Sequence, residues 1–189
     1  MSERRVHDIT DARVLAVLGH PLRRRLMDVL RVHGASTVSA LAERTDQRVG
    51  NVSHHVRALA DVGLVEEAPE LARDRRERWW RLVAPSLRWS EHGFSGDPAS
   101  EAVVHAVQSV NLDRQTSLVR ASTSSADEEL APWRSTAFAA ERWLHLTPDE
   151  LGELSRQMVE LLDSWSERSA SGPGREPVLV FAYGVPARP

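Results

Sequence analysis

The 189-residue chain contains no cysteine and no lysine. Without cysteine, disulfides, thiolate zinc sites, iron–sulfur clusters and thiol catalysis are excluded, and any metal would have to be held by histidine and carboxylates. Without lysine, all 24 basic residues are arginine, a bias that a GC-rich genome produces and that also suits bidentate contacts to phosphates and base edges. No apolar run approaches the roughly 18–20 residues needed to cross a bilayer. The opening MSERRVHDIT has no apolar stretch of the secretory kind, so a cytoplasmic protein without membrane contact is expected.

Catalytic signatures are equally scarce. Gly93-Phe94-Ser95-Gly96 is one residue short of a nucleophile elbow, and Gly172-Pro173-Gly174 lacks the third glycine and the preceding strand of a dinucleotide loop. Glu101 and His105 stand four apart on a helical segment, but two groups on one turn fall short of a metal site and read as a solvated pair. No enzyme, metal or cofactor is expected. What the chain does have is 41% apolar residues, enough for a core in one large domain or two small ones.

Charge divides unevenly. Residues 1–90 carry 16 arginines against 12 acids, and residues 91–189 carry 8 against 15. A basic half joined to an acidic half suits a nucleic-acid module followed by an assembly or effector module, although an uninformative surface would look the same.

Along the first half, DARVLAVLGH reads as a short helix stopped by Gly19. Pro21 opens a second, PLRRRLMDVLRVHG, with Leu22, Leu26, Val29 and Leu30 on one face and Arg23, Arg24 and Arg25 read as solvated. Thr37 caps a third, VSALAERT. A tight connection, Asp46 to Val49, leads to a fourth helix ended by Gly63, in which Val49, Val52, Val56 and Leu59 recur at spacings of three and four. That stripe is expected to be buried, leaving Gly50, Asn51, Ser53, His54 and Arg57 pointing elsewhere. Of the adjacent His54 and His55, His55 is expected to be packed or bonded to backbone. Leu64–Ala68 and Arg78–Val83 then read as two strands of a hairpin with a charged tip, in which Trp79 and Trp80 alternate.

The Ser/Gly/Pro-rich SEHGFSGDPAS suggests a boundary between a domain over 8–90 and another over 98–185. A long helix is expected from Pro98 to Arg120 and a short one near Trp133 to Ala140. Thr147-Pro148-Asp149-Glu150 is the strongest helix start in the chain, and Leu151, Leu154, Met158, Leu161, Leu162 and Trp165 follow it as a heptad-like seam that wants a partner. PVLVFAYGV reads as a strand, with RWLHL (Arg142–Leu146) as its mate. The expected fold is therefore mainly α with small β, a winged helix-turn-helix domain followed by a helical dimerisation region with a short two-stranded sheet.

Two short helices, a tight connection, a polar outward face and a basic hairpin are the parts of a duplex reader. A helix fits the major groove, and its exposed side chains must be able to meet base edges. Asn51 can pair with adenine, Arg48 or Arg57 with guanine, and Ser53 or His54 with phosphate or base. The fourth helix is roughly 21 Å long at ~1.5 Å per residue, which favours Arg48 to His54 over Arg57 for base contact. Arg73, Arg75, Arg76 and Arg78 would lie over adjacent backbone or minor groove, moderated by Asp74 and Glu77.

The runs HPLRRRLMDVL, ASTVSALAERTDQRVGNVSHHVRALADVGLVEE and RRERWWRLV, covering about residues 8–90, resemble the ArsR-type winged-helix transcriptional regulators, and more closely their actinobacterial relatives with an added C-terminal region. The resemblance implies a homodimer presenting two recognition helices to a pseudo-palindromic site in double-stranded DNA, with Asn51, Ser53, His54 and Arg57 on the reading helix. Thiolate sensing is excluded by the absence of cysteine. The connection has Arg48-Val49 where the family usually begins its recognition helix with Ser-Pro. Two other readings stand beside a DNA-binding regulator. One is a winged-helix module used only for protein contact. The other adds a small-molecule effector site lined by Trp133, Phe138, Trp143, Trp165, Phe181 and Tyr183, residues that also suit a plain core and dimer interface.

Overall fold

The computed structural model describes residues 6–74, 77–84, 86–89, 91–94, 96–124, 128, 131–169 and 172–188, with backbone alone for 6–8 and 91–92. The chain forms two compact units, Met1–Arg120 and Ala121–Pro189.

The first unit is built on four helices whose starts are set by local chemistry. In α1 (Ala12–Leu18), Asp11 accepts the Arg13 N–H at 2.8 Å and closes the N-terminus. In α2 (Pro21–His33), His20 does the same with its Nδ1, taking the Leu22 N–H at 3.2 Å. Thr37 caps α3 (Val38–Thr45) through its hydroxyl, as expected. After α4 (Val49–Ala60), Gly63 takes a φ of 73°, a left-handed turn that a side chain would strain. Leu15, Leu18, Leu26, Leu41, Val52, Val56 and Leu59 lose all contact with solvent in one core.

Beside these helices stands a small antiparallel sheet of order β2-β4-β3, formed by Ser36–Thr37, Trp79–Leu82 and Val65–Glu67. Its register pairs Val65 with Leu82 and Thr37 with Trp79. Trp80 is buried and Trp79 half-buried, the alternation that a strand imposes. A second, parallel pair joins β1 (Val6–Asp8) to β5 (Ser86–Arg88), which the sequence did not suggest.

The segment read as a linker contains a 3₁₀ turn, Glu91–Phe94, whose Phe94 is buried in the core. The following α5 (Pro98–Ser124) lays Val104 and Val107 on that core. Beyond them a polar seam ties α5 to α2. Arg24 donates to Asn111 Oδ1 at 2.6 Å, and Asp28 takes Arg114 at 2.6 Å and Arg31 at 3.1 Å. Arg24 is thus buried, correcting the reading of all three arginines of that run as solvated. The helical wheel of α2 does not show that α5 returns to cover this position.

In the second unit, α6 (Ala131–Arg134) is shorter than expected and α7 (Pro148–Arg168) starts where the sequence places it. The Thr147 hydroxyl receives the Glu150 N–H at 3.3 Å while the Glu150 carboxylate receives the Thr147 N–H at 2.7 Å, a reciprocal cap. Those bonds hold the Glu150 carboxyl below its ordinary range. The expected two-stranded C-terminal sheet is not formed: residues 138–147 and 175–188 contain no strand. An apolar run makes a strand only where another edge accepts its backbone bonds, and within this unit neither segment takes the other as partner. No described residue of the second unit is buried, and Trp143, Leu161, Trp165 and Val178 are all more than half exposed.

Candidate nucleic-acid interface

The face of α4 away from the core defines the candidate site. Val52, Val56 and Leu59 are fully buried, and with them fixed, Gly50, Asn51, His54 and Arg57 come out exposed on the opposite side, with Ser53 half-buried between. Arg48, the residue before the helix, is exposed and makes no side-chain cap. Val49 departs from the expected stripe. It is 51% exposed, although Val52 in the same turn is fully buried, and it leaves apolar surface among the polar side chains at the helix start.

Gly50 has no structural reason to be glycine. A Cβ placed there meets nothing within 4 Å, and its backbone is not in the left-handed region. A glycine in the first turn of a helix, with room for a methyl group and no need of special dihedrals, lets something outside the chain come close to the backbone.

His55 lies on the inner side. It is 7% exposed, with its ring centroid 4.3 Å from His20 and 5.3 Å from His54. Its Nδ1 accepts the Arg23 Nε–H at 3.3 Å, while Arg23 also donates to the Val17 carbonyl at 3.3 Å. The expectation of a packed histidine is met, with a side-chain partner in place of backbone. Burial, followed by the charges of His20, Arg23 and His54, pushes its pKa below the ordinary histidine value. Acceptance of the Arg23 N–H requires an unprotonated Nδ1, the form that the lowered pKa favours.

An open cavity of about 460 Å³ lies at the start of α4, lined by His20, Pro21, Leu22, Arg25, Gln47, Asn51 and His55. The sequence reading missed Gln47 here, because it stands in the turn before α4, outside the helical spacing that marked the other residues. Asn51 Nδ2 donates to Gln47 Oε1 at 3.1 Å, and Gln47 Nε2 donates to the Asp46 carbonyl at 2.9 Å.

The hairpin is less basic than its arginines suggest. Residues 65–82 hold five arginines and five acids. Arg78 pairs with Glu67 at 3.2 Å and Arg81 with Glu66 at 2.8 Å, with Glu70 as a further partner of Arg81. Arg73 is exposed, and its backbone N–H donates to Glu77 at 2.9 Å, which holds the Glu77 carboxyl below its ordinary range. Arg75 and Arg76 lie outside the described residues. Among the described residues, no group of three histidines and carboxylates stands together as a metal site, and no helix is long and apolar enough to cross a membrane.

Residues 18–68 match the helix-turn-helix domain family. Among curated proteins none matches the chain. Similar solved structures include one described as a possible transcriptional regulator for arsenical resistance, 30% identical, covering 55% of this chain and 93% of that one with a TM-score of 0.33. A transcriptional regulator homologue from Pyrococcus horikoshii OT3 is 21% identical, with 50% and 83% covered and a TM-score of 0.32. The transcriptional regulator PA4135 is 17% identical, with 80% and 79% covered and a TM-score of 0.34. At such scores the fold assignment rests on the family match and on the chain's own helices and hairpin, which together make a winged helix-turn-helix domain.

Proposed function

We propose that this chain is a sequence-specific transcriptional regulator of the ArsR type that binds double-stranded DNA as a homodimer. The segment 49–62 enters the major groove and the 65–83 hairpin lies over adjacent backbone as the wing. One observation carries the reading: α4 buries Val52, Val56 and Leu59 completely while Asn51, His54 and Arg57 stand exposed with Gly50 beside them. In this arrangement Arg48, Gly50, Asn51 and His54 face the base edges, Ser53 reaches phosphate, and Arg57 with Arg73, Arg75, Arg76 and Arg78 follows the backbone. Arg78 joins at small cost, since an exposed ion pair is worth about 0–1 kcal/mol.

The DNA-binding part is taken as residues 8–90 and the assembling part as 98–185. The apolar face of α7 and the extended segments beside it, exposed in a single chain, support a second copy as partner, and the aromatic residues there leave room for a small-molecule effector. The protein works in the cytoplasm and performs no catalysis.

The test is a gel-shift titration of the purified protein with fragments recovered by genomic selection. If ~6–10 phosphates are contacted per dimer, affinity falls by about 10³–10⁵ between 50 and 200 mM salt. A flat salt response refutes the reading. The balanced charge of the wing favours one rival, a winged-helix module that touches only protein. That rival predicts no retained DNA and a stable hetero-complex in a pull-down.

A further inference from the structure

We infer that Gln47 is a positioning residue that fixes the amide of Asn51 so that α4 reads adenine. This rests on the DNA-binding reading above. A primary amide has two nearly equivalent ends, and which end faces outward must be argued from its partners. Here the chain of bonds settles it. The Asp46 carbonyl can only accept, so Gln47 must turn its Nε2 toward it, at 2.9 Å. That places Gln47 Oε1, an acceptor, toward Asn51, which must answer with its Nδ2, at 3.1 Å. A backbone carbonyl thus dictates the polarity of two side chains in succession.

Asp46 is well suited to start the relay. It stands in the left-handed region, with φ 52° and ψ 51°, and its own N–H is bound back to Glu43 at 3.2 Å. The next N–H, that of Gln47, is bound to the Ala42 carbonyl at 2.9 Å. The turn is therefore tied down independently of the Gln47 side chain.

What remains on Asn51 is the carbonyl oxygen and the second N–H, on an exposed side chain beside the open cavity. One acceptor next to one donor is the complement of the major-groove edge of adenine, which offers the N6 amino donor and the N7 acceptor. Guanine presents two acceptors there, cytosine a lone donor, and thymine an acceptor with a methyl group. Without Gln47 the Asn51 amide rotates freely and pays ordering entropy at each encounter, so discrimination falls while the rest of the contact surface stays as it was.

The experiment uses the full-length protein, an operator duplex recovered by genomic selection, its single-base variants and a random duplex of equal length. Wild type is expected to prefer A·T at one position per half-site by roughly 5- to 150-fold, the range of a good bidentate pair. Asn51→Ala identifies that position by removing the preference. Gln47→Ala should lower the preference severalfold there and nowhere else, with random-duplex binding unchanged within twofold and the same melting temperature. In the Asn51→Ala background, Gln47→Ala should have no further effect, because it acts through Asn51.

Equal losses from Gln47→Ala with and without Asn51 would show Gln47 reading a base directly and overturn the inference. So would an unaltered preference in Gln47→Ala, or a guanine at the Asn51 position. A protein that retains no duplex at 50 mM salt overturns the DNA-binding reading itself, which keeps the two failures distinct.

Discussion

Replacing Gly50 with alanine separates what the fold requires from what the interface requires. In a helix interior, glycine costs about 1 kcal/mol relative to alanine. Gly50 sits in the first turn of α4, where backbone N–H groups make no helical bond, so about half that figure applies. Nothing opposes the gain, because the new Cβ meets no atom within 4 Å and the backbone is ordinary for an L-residue. Gly50→Ala is therefore expected to raise the melting temperature by about 1–3 °C in a calorimetric scan. The same methyl group stands where α4 would press on the groove floor. Forcing one extra methyl group into a close contact costs about 1–3 kcal/mol, so operator affinity should fall roughly 5- to 150-fold in the same protein. Two results refute the reasoning. A lower melting temperature would mean that glycine is required by the fold, and unchanged affinity would mean that this face of α4 does not approach a duplex.

The buried seam between α2 and α5 predicts that Asn111→Ala costs about 1.5–3 kcal/mol, because the Arg24 guanidinium loses a 2.6 Å partner inside the protein; urea denaturation measures it, and a loss under 0.5 kcal/mol contradicts the seam. His55 predicts a pH dependence. Its folded pKa lies below the unfolded value, so the unfolded chain binds the proton more readily and the stability His55 contributes is complete above about pH 6.5 and lost as pH falls. Protonation also ends the bond to Arg23. Melting temperature should drop more steeply between pH 7 and pH 5.5 for wild type than for His55→Asn, and equal slopes would clear His55 of this role. Leu161→Glu, on the exposed apolar face of α7, is expected to convert a dimer to monomer in sedimentation while the core of the first unit melts unchanged. A wild-type protein already monomeric at micromolar concentration would defeat that expectation.

Much of the local structure was legible because its causes are local. Thr37, Pro21 and the Thr147/Glu150 pair each start a helix through atoms within four residues of one another, and the spacing of Val52, Val56 and Leu59 defines a buried stripe within one helix. The outward set on α4 follows from that stripe by geometry alone. The misreadings share a different cause. Arg24 is buried because Asn111, 87 residues later, comes to meet it. Phe94, within a stretch that composition marks as a linker, is drawn into the core by neighbours far along the chain. The strands expected near residues 142–146 and 177–185 have suitably apolar sequences but no edge to pair with inside their unit.

The sequence by itself settled where the main helices start and which face of α4 is polar, since periodicity and caps act over a turn or two of chain. Only the tertiary structure decided which arginine of α2 lies inside and which hairpin arginines are already paired, because those outcomes depend on which groups from other elements arrive at each face. Burial and ion pairing depend on distance in space, and distance in space is fixed only when the whole core closes.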